Sequence, residues 1–140
     1  MIRVGVVGAA GRMGRTVCGA VDAAEDMAVL ARVDVGDPLE LVDDCDVVID
    51  FTAPDVVMDT LRHCVPAGVH VVVGTSSFDA ARLSQVEQLL ESHPQVGVLV
   101  APNFSIGAVL MMRFAAIAAP YFESVEVIEM HHPDKVDAPS

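Results

Sequence analysis

The sequence predicts an α/β fold, a doubly wound parallel sheet of the Rossmann type, and three observations predict it. Short apolar runs alternate with helix-compatible segments: Ile2–Val7, Met27–Val33, Asp46–Asp50, Val69–Val73 and Val96–Val100 read as strands. Glycines spaced G-x-x-G-x-x-G, at Gly8, Gly11 and Gly14, follow the first run directly and open a helical segment. The 140 residues are 53% hydrophobic but only 4% aromatic, with a mean hydropathy of +0.51. That balance suits Val- and Ala-rich parallel strands buried on both faces.

Each element has a local reason. Arg12 to about Ala24 reads as a helix with Val17, Ala20 and Val21 on its apolar side. Gly36, Asp37 and Pro38 form a turn after the second strand. Thr52, Pro54 and Asp55 combine a hydroxyl cap with an acidic first turn, so a helix is expected from there to Cys64 or Val65, stopped by Pro66 and Gly68. Asp79–Glu91 is the next helix, with Leu83, Val86, Leu89 and Leu90 facing the core. A helix over Ser105–Ala119 and a strand over Val125–Met130 begin something new. The expected division is a dinucleotide-binding domain over residues 1–104 and a second domain over residues 105–140.

Charge and cysteine usage narrow the class of partner. A formal net charge of -12 opposes non-specific attraction to nucleic acid or an anionic membrane. No apolar run reaches membrane-spanning length. Cys18, Cys45 and Cys64 have no metal or redox spacing, and three unpaired thiols suit a reducing cytoplasm.

The chemistry-bearing positions cluster at strand ends. Gly8-Ala9-Ala10-Gly11-Arg12-Met13-Gly14 allows a pyrophosphate to approach backbone N–H groups at a helix N-terminus. Asp34 lies twenty positions after Gly14, at the end of the second strand. A carboxylate there accepts from a ribose diol and repels a 2′-phosphate, which favours NADH. Arg12 keeps NADPH open. The carboxyl ends of strands three to five carry Phe51-Thr52, Gly74-Thr75-Ser76 and Ala101-Pro102-Asn103-Phe104, small and hydroxylated residues suited to a nicotinamide and its ribose. His131, His132 and Lys135 form a local cationic patch in an acidic chain, which suits a small anionic, carboxylated substrate and a proton donor. Adjacent histidines on a strand point to opposite faces, so no metal site is expected.

Taken together, these motifs resemble dihydrodipicolinate reductase (4-hydroxy-tetrahydrodipicolinate reductase), in its actinobacterial form. The resemblance rests on the glycine turn, Val48-Ile49-Asp50-Phe51-Thr52, Val73-Gly74-Thr75, Ala101-Pro102-Asn103-Phe104-Ser105-Ile106-Gly107 and, most specifically, Glu129-Met130-His131-His132-Pro133-Asp134-Lys135 with the residues up to Ser140. It implies NAD(P)H-dependent reduction of the dehydrated cyclic hydroxy-dicarboxylate of lysine and diaminopimelate biosynthesis, in a homotetramer. It implies Lys135 as the proton donor, His131 as an alternative acid or electrostatic aid, and His132 on a substrate carboxylate. The cofactor would touch Thr75, the strand end Ala101–Phe104 and, at the adenine ribose, Asp34.

Two departures stand out. The family's G-T-T-G reads Gly74-Thr75-Ser76-Ser77 here. The family motif also continues past Pro139-Ser140 into Gly-Thr. The expectation is therefore a chain that carries the family only as its N-terminal part, with a truncated α+β substrate domain and weak or absent turnover. Two rival classes stay open. Another nicotinamide-dependent dehydrogenase would need a different catalytic set, such as a nucleophilic cysteine at a strand end; Cys18 and Cys64 fall in helices, and Cys45 precedes a strand far from the crevice. A non-catalytic nucleotide-binding module would bind NADH without turnover.

Overall fold

The computed structural model describes residues 1–76, 78–101, 103–128 and 130. The chain falls into two compact units, Met1–Ala101 and Pro102–Ser140. In the first unit five strands, β1 (Ile2–Val7), β2 (Met27–Val33), β3 (Val47–Asp50), β4 (His70–Val73) and β5 (Val98–Val100), form one sheet in the order β2-β1-β3-β4-β5. Every neighbouring pair is parallel. Parallel neighbours require crossovers, supplied by α1 (Arg12–Asp22), a 3-10 turn (Leu39–Val42), α2 (Val57–Ala67) and α3 (Ala80–Glu91). The strand order turns outward in both directions from β1 and β3, so the switch point, where open α/β sheets bind ligands, lies at their carboxyl ends.

The period-two alternation of β1 divides its side chains between the faces. Val4 and Val6 pack with Cys18 and Val21 of α1. Val7 packs with the opposite cluster, which includes Val42, Val48, Met58, Leu61, Cys64 and Val86. A fully buried Leu or Val is worth about 1.5–3 kcal/mol, so this second cluster is the larger source of stability.

Local structure departs from the sequence expectation in instructive places. The buried stripe of α1 is Gly14, Cys18 and Val21, while Ala20 is exposed. Val17 packs half-buried against the same cluster as Val4 and Val6, so of the expected apolar side only Ala20 faces outward. Thr52 does not cap α2, which begins at Val57 with no side-chain cap. The Thr52 hydroxyl is committed to Asp50 instead, at 2.7 Å. Pro66 does not stop that helix but sits inside its last turn, and Gly68, with φ 83°, ends it in the left-handed region. Asp79 does cap α3, accepting from the Arg82 N–H at 2.8 Å. Leu83 of α3 is exposed.

In the second unit, α4 (Ile106–Ala118) is capped by the Ser105 hydroxyl, which accepts from the Ala108 N–H. The strand expected over Val125–Met130 is not found in its described residues, 125–128 and 130. A strand needs a neighbour to pair with, and among the described residues this unit offers none.

Candidate dinucleotide site

The glycine turn is shaped by three backbone constraints. Gly8 adopts φ 81°, and a side chain there would meet the Phe51 carbonyl oxygen at 2.6 Å. A Cβ on Gly14 would run into the Gly8 carbonyl, so only glycine lets α1 start this close to β1. The Gly8 and Ala9 N–H groups donate to the Val33 carbonyl at 2.9 and 3.1 Å, binding the turn to the end of β2. Arg15 adds a brace from its guanidinium to the Ala10 carbonyl at 2.5 Å.

No side chain caps α1, whose N-cap is Gly11. The N–H groups of its first turn therefore have neither a helical carbonyl nor a capping oxygen. This is a cradle for an anion at the positive end of a helix dipole. The glycines and the uncapped helix start fit the pyrophosphate of a dinucleotide.

Asp34 stands beside this turn. Its Oδ2 accepts from the Ala10 N–H at 2.6 Å and its Oδ1 from the Val35 N–H at 2.9 Å. These backbone donors, Val35 foremost, hold its carboxyl below the usual carboxylate range. Asp37, read from sequence only as part of the turn after the second strand, holds the loop. Its carboxylate accepts from the Asp34 N–H at 2.9 Å, and its own N–H donates to the Asp34 carbonyl at 3.0 Å. A cleft of about 430 Å³ opens at the carboxyl ends of β1, β2 and β3, bordered by Gly8, Gly11, Asp34, Phe51 and Thr52. Its volume lies within the range of small-molecule pockets.

The β3 and β4 ends are organised by a residue the sequence reading did not single out. Asp50 is fully buried. Its Oδ1 accepts from the Thr52 N–H at 2.9 Å, the Thr52 hydroxyl at 2.7 Å and the Thr75 hydroxyl at 2.9 Å. Its Oδ2 has no partner among the described residues. Asp50 lies near Cys64, whose thiol is pushed up to about 12, mainly by burial and further by Asp50. An Asp two residues before a Thr is a visible signal for a local turn. The bond to Thr75 joins positions 25 apart and has no local signal.

The structure thus brings Gly8, Gly11, Asp34, Phe51 and Thr52 to one cleft, with Ala9, Ala10, Arg12, Met13 and Gly14 in the same glycine turn and the start of α1, and Gly74, Thr75 and Ser76 following β4. Ala101 follows β5 and donates its N–H to the Val73 carbonyl at 2.9 Å. Asn103 and Phe104 fall in the second unit, where Asn103 accepts from the Ser105 N–H at 2.8 Å. Pro102, His131, His132 and Lys135 lie outside the described residues.

Sheet order, glycine turn and switch-point cleft define a Rossmann-type dinucleotide-binding protein. The chain belongs to the dihydrodipicolinate reductase family: the family's N-terminus profile matches residues 2–104 and its C-terminus profile residues 107–140. It is 60% identical over 140 residues to the 4-hydroxy-tetrahydrodipicolinate reductase of Thermobifida fusca, covering 100% of this chain and 57% of that protein. With the enzyme of the same name from Nocardia farcinica it shares 59% identity over 141 residues, covering 99% of this chain and 57% of that protein. Among solved structures, the dipicolinate-bound dihydrodipicolinate reductase from Paenisporosarcina sp. TG-14 superposes with a TM-score of 0.77 at 38% identity, covering 100% of this chain and 62% of that one. The chain thus spans 57% of the length of the two curated relatives.

These matches correct two expectations. Neither the expectation of the family's N-terminal part alone nor that of a truncated substrate domain stands, because the family's C-terminus profile matches the chain as well. The C-terminus profile matches from residue 107 to residue 140, so the C-terminal domain is present beside the N-terminal one.

Proposed function

We propose that this chain acts in the NAD(P)H-dependent reduction of the dehydrated form of 4-hydroxy-tetrahydrodipicolinate to tetrahydrodipicolinate, in lysine and diaminopimelate biosynthesis. The observation that carries the reading is the cleft of about 430 Å³ between the glycine turn and the β3 end, with Asp34 on its rim, in a chain of this family. The uncapped start of α1 would hold the pyrophosphate, and Phe51, Thr52, Gly74, Thr75 and Ser76 would border the nicotinamide side, with the Ala101–Phe104 segment contributing from the end of β5.

When bound, the reduced nicotinamide supplies the hydride that the substrate ring accepts. Lys135 would deliver the proton to the adjacent ring carbon, with His131 as the alternative acid or an electrostatic aid. His132 would hold a substrate carboxylate. The dipicolinate of the Paenisporosarcina structure's name is itself a small dicarboxylate, which supports that substrate class. Residues 1–104 would then serve the cofactor and residues 105–140 the substrate.

NADH is the favoured cofactor. Asp34 places a carboxylate where a 2′-phosphate would be repelled. Arg12 at the first position of α1 has no ion-pair partner among the described residues and offers a route to NADPH. We place the enzyme in the cytoplasm, as a homotetramer. The three buried free thiols fit a reducing compartment, and no helix of the described residues is long and apolar enough to cross a membrane.

The test is a steady-state assay at 340 nm with substrate generated in place by the upstream synthase. Substrate-dependent oxidation of NADH, faster than that of NADPH at equal concentration, is expected. Absence of oxidation with both cofactors would overturn the reading.

A further inference from the structure

Three hydrogen bonds at the β3 and β4 ends carry a consequence for ligand binding. The Thr52 N–H, the Thr52 hydroxyl and the Thr75 hydroxyl all donate to one oxygen, Asp50 Oδ1, at 2.9, 2.7 and 2.9 Å. A threonine hydroxyl has one proton and two lone pairs. Once its proton is given to Asp50, it offers a ligand only acceptor capacity. Asp50 is fully buried and Thr75 is 5% exposed, so water does not compete for the bond between them, while Thr52 is half-buried. Thr52 borders the cleft.

We propose that Asp50 is a positioning residue that fixes the Thr52 and Thr75 hydroxyls as hydrogen-bond acceptors, and that the group they accept from is the N–H of the nicotinamide carboxamide. This rests on the reading that the crevice takes a nicotinamide dinucleotide. Asp50 itself does not touch the ligand. It acts by removing the alternative in which either hydroxyl turns its proton outward and meets the carboxamide donor with another donor. A single carboxylate oxygen thereby sets the polarity of two strand ends at once.

The experiment compares the binding of NADH and of reduced 3-acetylpyridine adenine dinucleotide, in which a methyl group replaces the carboxamide nitrogen. Binding to the 140-residue chain, which has no Trp, is read by calorimetry. The wild-type chain is expected to prefer NADH by about ten-fold, the worth of one well-placed hydrogen bond. In Asp50→Ala the preference should fall to within about two-fold, with affinity for the analogue little changed. A residue that merely holds the fold would weaken both ligands by the same factor and leave the ratio intact, and that result would overturn the proposal. Thr52→Val and Thr75→Val remove the acceptors and leave Asp50 in place. At least one should narrow the ratio likewise, so the proposal stays testable even where Asp50→Ala does not fold, and an unchanged ratio in both overturns it. If the wild-type chain binds neither dinucleotide, the dinucleotide reading fails together with the positioning role. If it binds both with a ratio that no variant moves, the positioning role alone fails.

Discussion

Two aspartates stand at the ends of the parallel strands that flank β1, and they do opposite things. Asp34, after β2, is partly exposed and takes both of its bonds from backbone N–H groups, Ala10 at 2.6 Å and Val35 at 2.9 Å. Asp50, at the end of β3, is fully buried and gathers two hydroxyls and one N–H on a single oxygen. Exposure makes the difference. A carboxylate in contact with solvent can exchange a partner for a ligand at little cost, whereas a buried one whose bonds are removed leaves donors unsatisfied. The rim residue is therefore free to exchange a partner, and the buried residue holds its donors in place.

The contrast can be broken at several points. The largest effect is expected at the turn both aspartates flank. Gly14→Ala drives a Cβ into the Gly8 carbonyl, and the α1 start must shift away from β1. It should lower the unfolding free energy by about 3 kcal/mol and abolish dinucleotide binding. Denaturant unfolding followed by circular dichroism checks the first effect, and fluorescence titration with NADH the second.

Asp50→Ala comes next, with an expected loss of about 2 kcal/mol from the donors it strands. Asp34→Ala, in the same unfolding assay, should lose far less. Equal losses for the two variants would erase the distinction between them. The reverse order should hold for cofactor choice: Asp34→Ala is expected to shift the ratio of NADH to NADPH affinity toward NADPH by about ten-fold, and Asp50→Ala to leave that ratio unmoved.

The smallest effect lies at the opposite end of the sheet, where Arg3 and Asp46 pair at 2.6 Å and tie the start of β1 to the residue before β3. Hydrogen bonding to Arg3 lowers the Asp46 carboxyl from 3.8 to about 2. A depressed carboxylate contributes stability that is full above its unfolded value and is lost as pH falls through the folded value. The advantage of wild type over Asp46→Asn should therefore be present at about pH 6 and vanish as pH falls from about 4 to about 2. Both side chains are exposed, so the gap should also shrink in high salt. Denaturation midpoints across that range measure it, and a gap independent of pH would exclude the pair as its source.

Much of the sheet was legible because each strand reports itself. A parallel strand buried on both faces reads as a short apolar run, and five such runs mark five strands. Asp79, read only as the start of a helix, caps α3 through a bond three residues long, a local signal that the sequence reading passed over. Thr52 misled because its hydroxyl had two suitors, the first turn of a helix and Asp50. Asp50, two residues away, already holds the Thr52 N–H at 2.9 Å, and the hydroxyl joins it there. Pro66 misled because a proline in a last turn can be tolerated when a left-handed Gly68 closes the helix just beyond it.

The amino-acid sequence by itself determined the order of strands and helices, the glycine turn at Gly8–Gly14 and the acidic residue after β2, all set by local pattern and by the sterics of a missing Cβ. Tertiary structure alone decided that β1 and β3 are neighbours, that Asp34 meets the Ala10 N–H, and that Asp50 takes its bond from Thr75. Those contacts join residues brought together by packing of the sheet. Their energy depends on burial and direction, which are not local properties of a chain.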